Sequence, residues 1–81
     1  MLFIGFDLVG TMPHFVEINI YNGAGYCVAQ PLSKNKLKPG QYTIVWNGLD
    51  ARGNTVTPGR YIVEYRTERD STCRVVKWPV R

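Results

Sequence analysis

Alternation of apolar and polar residues is the feature that leaves this chain the fewest options. Ile4, Phe6 and Leu8 alternate with Gly5, Asp7 and Val9, and Val16, Ile18 and Ile20 alternate with Phe15, Glu17, Asn19 and Tyr21. Tyr42, Ile44 and Trp46 alternate with Thr43, Val45 and Asn47, and Tyr61, Val63 and Tyr65 alternate with Ile62, Glu64 and Arg66. Successive side chains of a strand point to opposite faces, so each set lays one apolar stripe on one face of a half-buried strand. No window carries a stripe at the helical period. The expected core is Phe6, Ile18, Ile20, Tyr42, Ile44, Trp46, Tyr61 and Val63, joined by Trp78 from the C-terminal run.

The breaks between these runs are turn chemistry. Thr11-Met12-Pro13 separates the first two, and Asn22-Gly23-Ala24-Gly25 supplies glycines for positive φ. Pro39-Gly40 and Pro58-Gly59 each stand just before a strand. The densest turn region is Asn47 to Asn54, where Asn47 and Asp50 are expected to bond turn backbone and Gly48 and Gly53 to take the tight bends. Strands are predicted over residues 2–9, 14–21, 26–31, 41–47, 60–68 and 72–80, with a possible seventh at 54–57. Such short, regularly spaced strands specify a sandwich or a barrel. The chain also echoes itself: Lys38-Pro39-Gly40-Gln41-Tyr42 is matched by Thr57-Pro58-Gly59-Arg60-Tyr61. The second copy resembles the tyrosine corner of immunoglobulin sandwiches.

At 81 residues the chain is expected to be a single domain, residues 1–81. A domain of this size buries little more than ~60% of its unfolded surface, so nearly every inward position must be apolar. The 44% hydrophobic content allows that. Net charge is +4, which favours acidic partners in general, but the basic residues are scattered. Lys34, Lys36 and Lys38 form the one tight group and read as a solvated loop, with a polyanion site as the alternative.

Little in the sequence prepares chemistry. His14 is the sole histidine, and a triad of His14 with Ser33 or Ser71 and Asp7 or Asp70 lacks a glycine elbow for its nucleophile. Asp7, Glu17, Asp50, Glu64, Glu68 and Asp70 would need a pocket to act in pairs, and a core this small leaves little room for one. Asn47 and Asp50 lack the repeated acidic spacing of a calcium loop. No catalytic, metal-binding or cofactor-binding residue is expected, and no small-molecule substrate is implied.

The run Val16-Glu17-Ile18-Asn19-Ile20-Tyr21-Asn22 with Gly25, then Leu37-Lys38-Pro39-Gly40-Gln41-Tyr42, then Trp46-Asn47-Gly48-Leu49-Asp50-Ala51-Arg52-Gly53-Asn54, Val56 and Pro58-Gly59-Arg60-Tyr61 resembles one family. It is similar to the Ig-like domain of flagellar hook-capping proteins, the FlgD type, over residues 4–78. Similar modules sit at the C-termini of secreted bacterial surface proteins and enzymes. The segments Lys34 to Lys38 and Asp70-Ser71-Thr72-Cys73 depart from the family pattern. The resemblance implies an all-β, immunoglobulin-like antiparallel sandwich of six or seven strands. It also implies a structural module that makes protein contacts.

Strand alternation turns both Cys27 and Cys73 outward. A disulfide between them would close a long loop worth ~4 kcal/mol by the chain-entropy argument. In the arrangement that the resemblance implies, however, the 60–68 strand lies between them, and two strand spacings are ~9.5 Å, beyond disulfide reach. Two free thiols are expected.

The leading functional expectation is a non-catalytic assembly module that meets a protein partner or its own copies. Phe15, Val45, Ile62 and Val75 alternate onto outward faces and are the candidate interface; the competing reading is scattered residues covered by neighbours such as Arg66 or Lys77. An adhesin module binding glycans through Tyr21, Tyr26 and Phe15 is the alternative, and nucleic-acid binding through scattered basic residues, Lys34, Lys36, Lys38 and the arginines of the last two strands, ranks below it. No signal peptide is seen in this chain and no run approaches the ~18 apolar residues of a membrane helix. A bacterial appendage, a cell surface or a virus particle is the expected setting.

Overall fold

The alternating runs become six antiparallel strands in a computed structural model that describes residues 1–80. They are β1 (Leu2–Leu8), β2 (His14–Tyr21), β3 (Cys27–Leu37), β4 (Gly40–Trp46), β5 (Gly59–Thr67) and β6 (Ser71–Trp78). Two sheets result, β1-β4 and β3-β2-β5-β6, and no helix forms among the described residues. The chain is an immunoglobulin-like sandwich in which a two-stranded sheet packs over part of a four-stranded one.

The core sits between the sheets. Ile18, Ile20 and Val16 on β2 are fully buried, and Ile4, Leu2, Trp46, Tyr61, Val63 and Trp78 form one cluster with the two isoleucines. Phe6 and Ile44 are partly buried against this cluster. Aromatic rings close both ends of an aliphatic middle. At one end Trp46 lies with its centroid 4.7 Å from Trp78 and 5.7 Å from Tyr61. At the other, Phe6 lies 5.3 Å from Tyr42 and 5.0 Å from Tyr65.

The repeated Pro-Gly-x-Tyr corners use one device twice. Tyr42 Oη donates to Lys38 O and Tyr61 Oη donates to Thr57 O, each at 2.6 Å and each to the residue four positions earlier. A phenol so placed fills the core margin with its ring and satisfies a loop carbonyl with its hydroxyl.

Two expectations are corrected. The Lys34 to Lys38 segment is a strand as far as Leu37: His14, Phe15 and Val16 pair with Leu37, Lys36 and Asn35. Side-chain patterning hid this because β3 is an edge strand whose second half is solvated on its lysine side, while the pairing is made by backbone. Three register shifts absorb the additional residues of β3, and such bulges with Pro31 and the lysines protect an exposed edge. The segment 54–57 is not a strand; it contributes one isolated bridge, Thr55 to Leu49, and buries Val56. The tight connection before it leaves no neighbouring strand to extend the ladder.

Candidate functional site

The outward face of the four-stranded sheet is built in rows by the strand register. One row runs Cys27, Tyr21, Ile62 and Val75 across β3, β2, β5 and β6. The next carries Gln30, Asn19, Glu64 and Cys73, followed by Glu17, Arg66 and Ser71. The first row is the more apolar. Val75 is 64% exposed, and Ile62 beside it is partly buried.

The second row is a hydrogen-bond ladder. Gln30 Nε2 donates to Asn19 Oδ1 at 2.9 Å, Asn19 Nδ2 donates to Glu64 Oε1 at 3.1 Å, and Tyr21 Oη donates to the same oxygen at 2.8 Å. Ser71 Oγ reaches Glu64 Oε2 at 3.4 Å. Asn19 is thereby buried, at 5% exposure, on an outward face. Desolvation works to raise the Glu64 carboxyl, but hydrogen bonds from Asn19, Tyr21 and Ser71 and the charge of Arg66 overcome it, so its pKa lies below the usual value. The same hydrogen bond to Glu64 raises the Tyr21 phenol.

The candidate interface residues fall in three places. Ile62 and Val75 are direct cross-strand partners. Phe15 stands at the far end of β2, with the Lys34 and Lys36 ammonium groups 5.3 and 5.7 Å from its ring centroid. Those cations cover the ring and are held there by its quadrupole. Val45 belongs to the other sheet and pairs with Phe3; the two are 44% and 63% exposed. Parity marked all four as outward but could not say which sheet each would join.

The turn after β4 is held by its own side chains. Asn47 Oδ1 accepts from Leu49 N at 3.2 Å, and Asp50 Oδ1 accepts from Arg52 N and Asn54 N, each at 2.9 Å. Gly48 at φ +78° and Gly53 at φ +86° take left-handed backbone. Trp46 Nε1 donates to Leu49 O at 2.9 Å, and Ala51 N donates to Val28 O at 3.0 Å, which ties the turn to both sheets. Asn47 and Asp50 are thus occupied by backbone, and no group of three or more metal-ligating side chains occurs among the described residues.

His14 has both nitrogens engaged. Nδ1 lies 2.8 Å from Glu68 Oε1 and Nε2 lies 3.1 Å from Val9 O, while Phe15 N donates to Glu68 Oε2 at 2.8 Å. Glu68 lies below its usual pKa, chiefly through its own backbone N–H and then through His14. This cluster fastens the β1–β2 connection to the end of β5. Among the described residues His14 is bonded to Glu68 and Val9 and not to a serine, and Ser71 is turned to Glu64.

The two thiols are exposed and unpaired. The separation exceeds the two strand spacings that the family resemblance implies. Both β2 and β5 stand between β3 and β6, and three strand spacings amount to ~14 Å.

Two concavities flank the two-stranded sheet. On the β4 side a hollow of about 640 Å³ lies between Ala29, Pro31, Val45, Trp46 and Leu49. On the β1 side a narrower groove of about 210 Å³ lies between Ile4 and Gly5 on one wall and Val63, Tyr65, Thr72 and Arg74 on the other. A depression of about 810 Å³ beside Pro58, Trp78 and Val80 has Lys77 as the titratable side chain in its lining. No helix among the described residues is long and apolar enough to cross a membrane.

No curated protein and no solved structure gives a match. Residues 9–71 match the FlgD Ig-like domain, from the end of β1 to the start of β6. That span includes both Pro-Gly-x-Tyr corners, the Trp46 strand and the Asn47–Asn54 turn, and it covers well over half of the sequence: this chain belongs to the FlgD Ig-like domain family.

Proposed function

We propose that this chain is a non-catalytic docking module that joins a protein assembly by burying the outward row Tyr21, Ile62 and Val75. The observation that carries the reading is the cross-strand pair Ile62 and Val75, with Val75 64% exposed and Ile62 half-buried beside it, next to the Tyr21 ring on the outward sheet face. An apolar cluster of this kind gains free energy only when another surface covers it. Family membership supports protein contact and a flagellar or cell-surface setting. The Phe3-Val45 pair on the other sheet, 63% and 44% exposed, offers a second contact, so one subunit has two faces with which to join an assembly.

The test is the mass of the purified chain by light scattering over a wide concentration range, with Val75→Glu and Ile62→Glu beside it. Association that both substitutions abolish supports the reading. Association that survives them places the contact elsewhere and refutes it. If the chain is monomeric, its retention on the isolated native assembly is measured instead, and indifference to both substitutions is the refuting result.

A glycan-binding reading rests on Tyr26, which is 72% exposed. It is weakened by Phe15, which stands at the opposite end of β2 beneath two lysines and cannot extend a stacking platform with Tyr26. Saturable binding on a glycan array, lost in Tyr26→Ala, would revive it.

A further inference from the structure

A two-stranded sheet cannot cover a four-stranded one, and the shortfall falls on one side. On β6 the inward positions are Thr72, Arg74, Val76 and Trp78, which pair with Tyr65, Val63, Tyr61 and Gly59. Trp78 is buried and Val76 partly so, but Thr72 and Arg74 are exposed although they point to the core side. Among the described residues no strand lies opposite them. The groove of about 210 Å³ between Ile4 and Tyr65 occupies that place.

The edge of β1 that borders this groove is lightly protected, with the exposed Asp7 near its end as its one charged side chain. Edge strands of soluble proteins are usually blunted by lysine, proline or bulges. β3 has all three, and β6 carries Arg74 and Lys77. On the β4 side the Asn47–Asn54 turn bridges the sheets through Ala51 N to Val28 O. β1, Leu2-Phe3-Ile4-Gly5-Phe6-Asp7-Leu8, has no lysine, arginine or proline, and it pairs with β4 over seven consecutive residues without a register shift. Its other edge is a regular row of backbone donors and acceptors.

From these features we infer that β1 accepts an added strand from a partner protein: an extended segment with alternate apolar residues and a carboxylate among them. The backbone of the segment pairs with the free edge of β1. Its inward side chains fill the groove over Val63 and Tyr65, and its carboxylate meets Arg74, which has no acidic partner among the described residues. Charge selects the partner: the chain is at +4, so an acidic segment is attracted and a second copy repelled. The inference rests on the docking reading above but uses a different surface, so the two can fail separately.

The probe is a capped peptide of the same seven-residue length as β1, Thr-Val-Thr-Glu-Thr-Val-Thr, compared with its counterpart carrying Lys in place of Glu. NMR of the labelled full chain reads both affinity and site. The expected result is slowed amide exchange at alternate β1 residues and at least ~10-fold tighter binding of the glutamate peptide, equal to ~1.4 kcal/mol. Arg74→Glu should reverse that preference. Gly5→Lys should abolish binding of both peptides while leaving the melting temperature and any Val75-dependent association intact. A Cβ at Gly5 meets only Tyr42 O, at 3.9 Å, so the fold admits that substitution. Perturbations that map to β3 or β6 alone, no preference between the peptides, or no binding of either would overturn the inference. So would a dimer of the free chain that Gly5→Lys dissolves, because the occupant would then be a second copy.

Discussion

Gly48→Ala tests the core and the turn after β4 together. Gly48 has φ +78°, and a Cβ built there runs into the ring of Trp78, with Cζ2 nearest, Cε2 at 2.6 Å and Nε1 at 2.9 Å. The ring has little freedom to retreat, because Trp78 is buried and packs at a tilt against Trp46, itself anchored through Leu49 O. Gly53 is the internal control: its φ is +86°, yet nothing lies within 4 Å of its Cβ position. Left-handed backbone costs a non-glycine residue ~1–2 kcal/mol, offset by ~0.4–1 kcal/mol of unfolded-state entropy. Gly53→Ala should therefore cost ~1 kcal/mol. Gly48→Ala adds overpacking of ~1–3 kcal/mol, for a total of ~2–4 kcal/mol. For a domain of this size each kcal/mol lowers Tm by ~4–8 °C, so the expected drop is ~8–32 °C for Gly48→Ala and ~4–8 °C for Gly53→Ala. Urea unfolding followed by tryptophan fluorescence gives the free energies directly. Equal losses in the two variants would refute the claim that Gly48 is glycine because Trp78 occupies the space beside it.

Tyr61→Phe should cost ~1 kcal/mol in the same assay, the worth of one buried hydroxyl-to-carbonyl bond, and Tyr42→Phe less, because Tyr42 is the more exposed of the two. The depressed Glu64 carboxyl predicts a pH dependence of definite sign. Its contribution is fully present above the unfolded value near 4.5 and is lost as pH falls through the lower folded value. Glu64→Gln should therefore lose less stability than the parent chain when urea unfolding is repeated from pH ~5 to ~3. A thiol reagent applied to the native chain without reductant should titrate both Cys27 and Cys73, and finding neither would contradict the strand order.

What the sequence made legible was whatever the side chains of one strand report about that strand. Alternation placed β1, β2, β4 and β5 within a residue or so, and the turn chemistry of Asn47 and Asp50 was written in local spacing. Relations between strands were not legible. The pairing of Lys34 to Leu37 with β2 is a backbone event on a solvated edge. Val45 and Val75 have the same parity and similar character, yet they belong to different sheets. Arg74 points inward by simple alternation from Trp78, but a charged residue there is intelligible only once the opposite sheet proves too narrow to reach it. The ladder through Asn19 was hidden for a related reason, since Gln30 reaches Asn19 only after a bulge has shifted β3 against β2.

That ladder has a consequence for how the chain avoids the wrong structure. The inward residues of β2 are Val16, Ile18 and Ile20, three branched aliphatics in succession. Sliding β2 by two residues would put one branched aliphatic in the place of another, so the core barely discriminates between the correct alignment and its neighbour. Asn19 does discriminate. A slide of two residues carries its amide away from both Gln30 and Glu64 and strands a buried polar group, at a cost of ~1–3 kcal/mol. Replacing it by an aliphatic residue would leave the native packing nearly undisturbed and remove the penalty on the misaligned competitor. The amide acts as a detent, whose worth lies in the alignments it forbids.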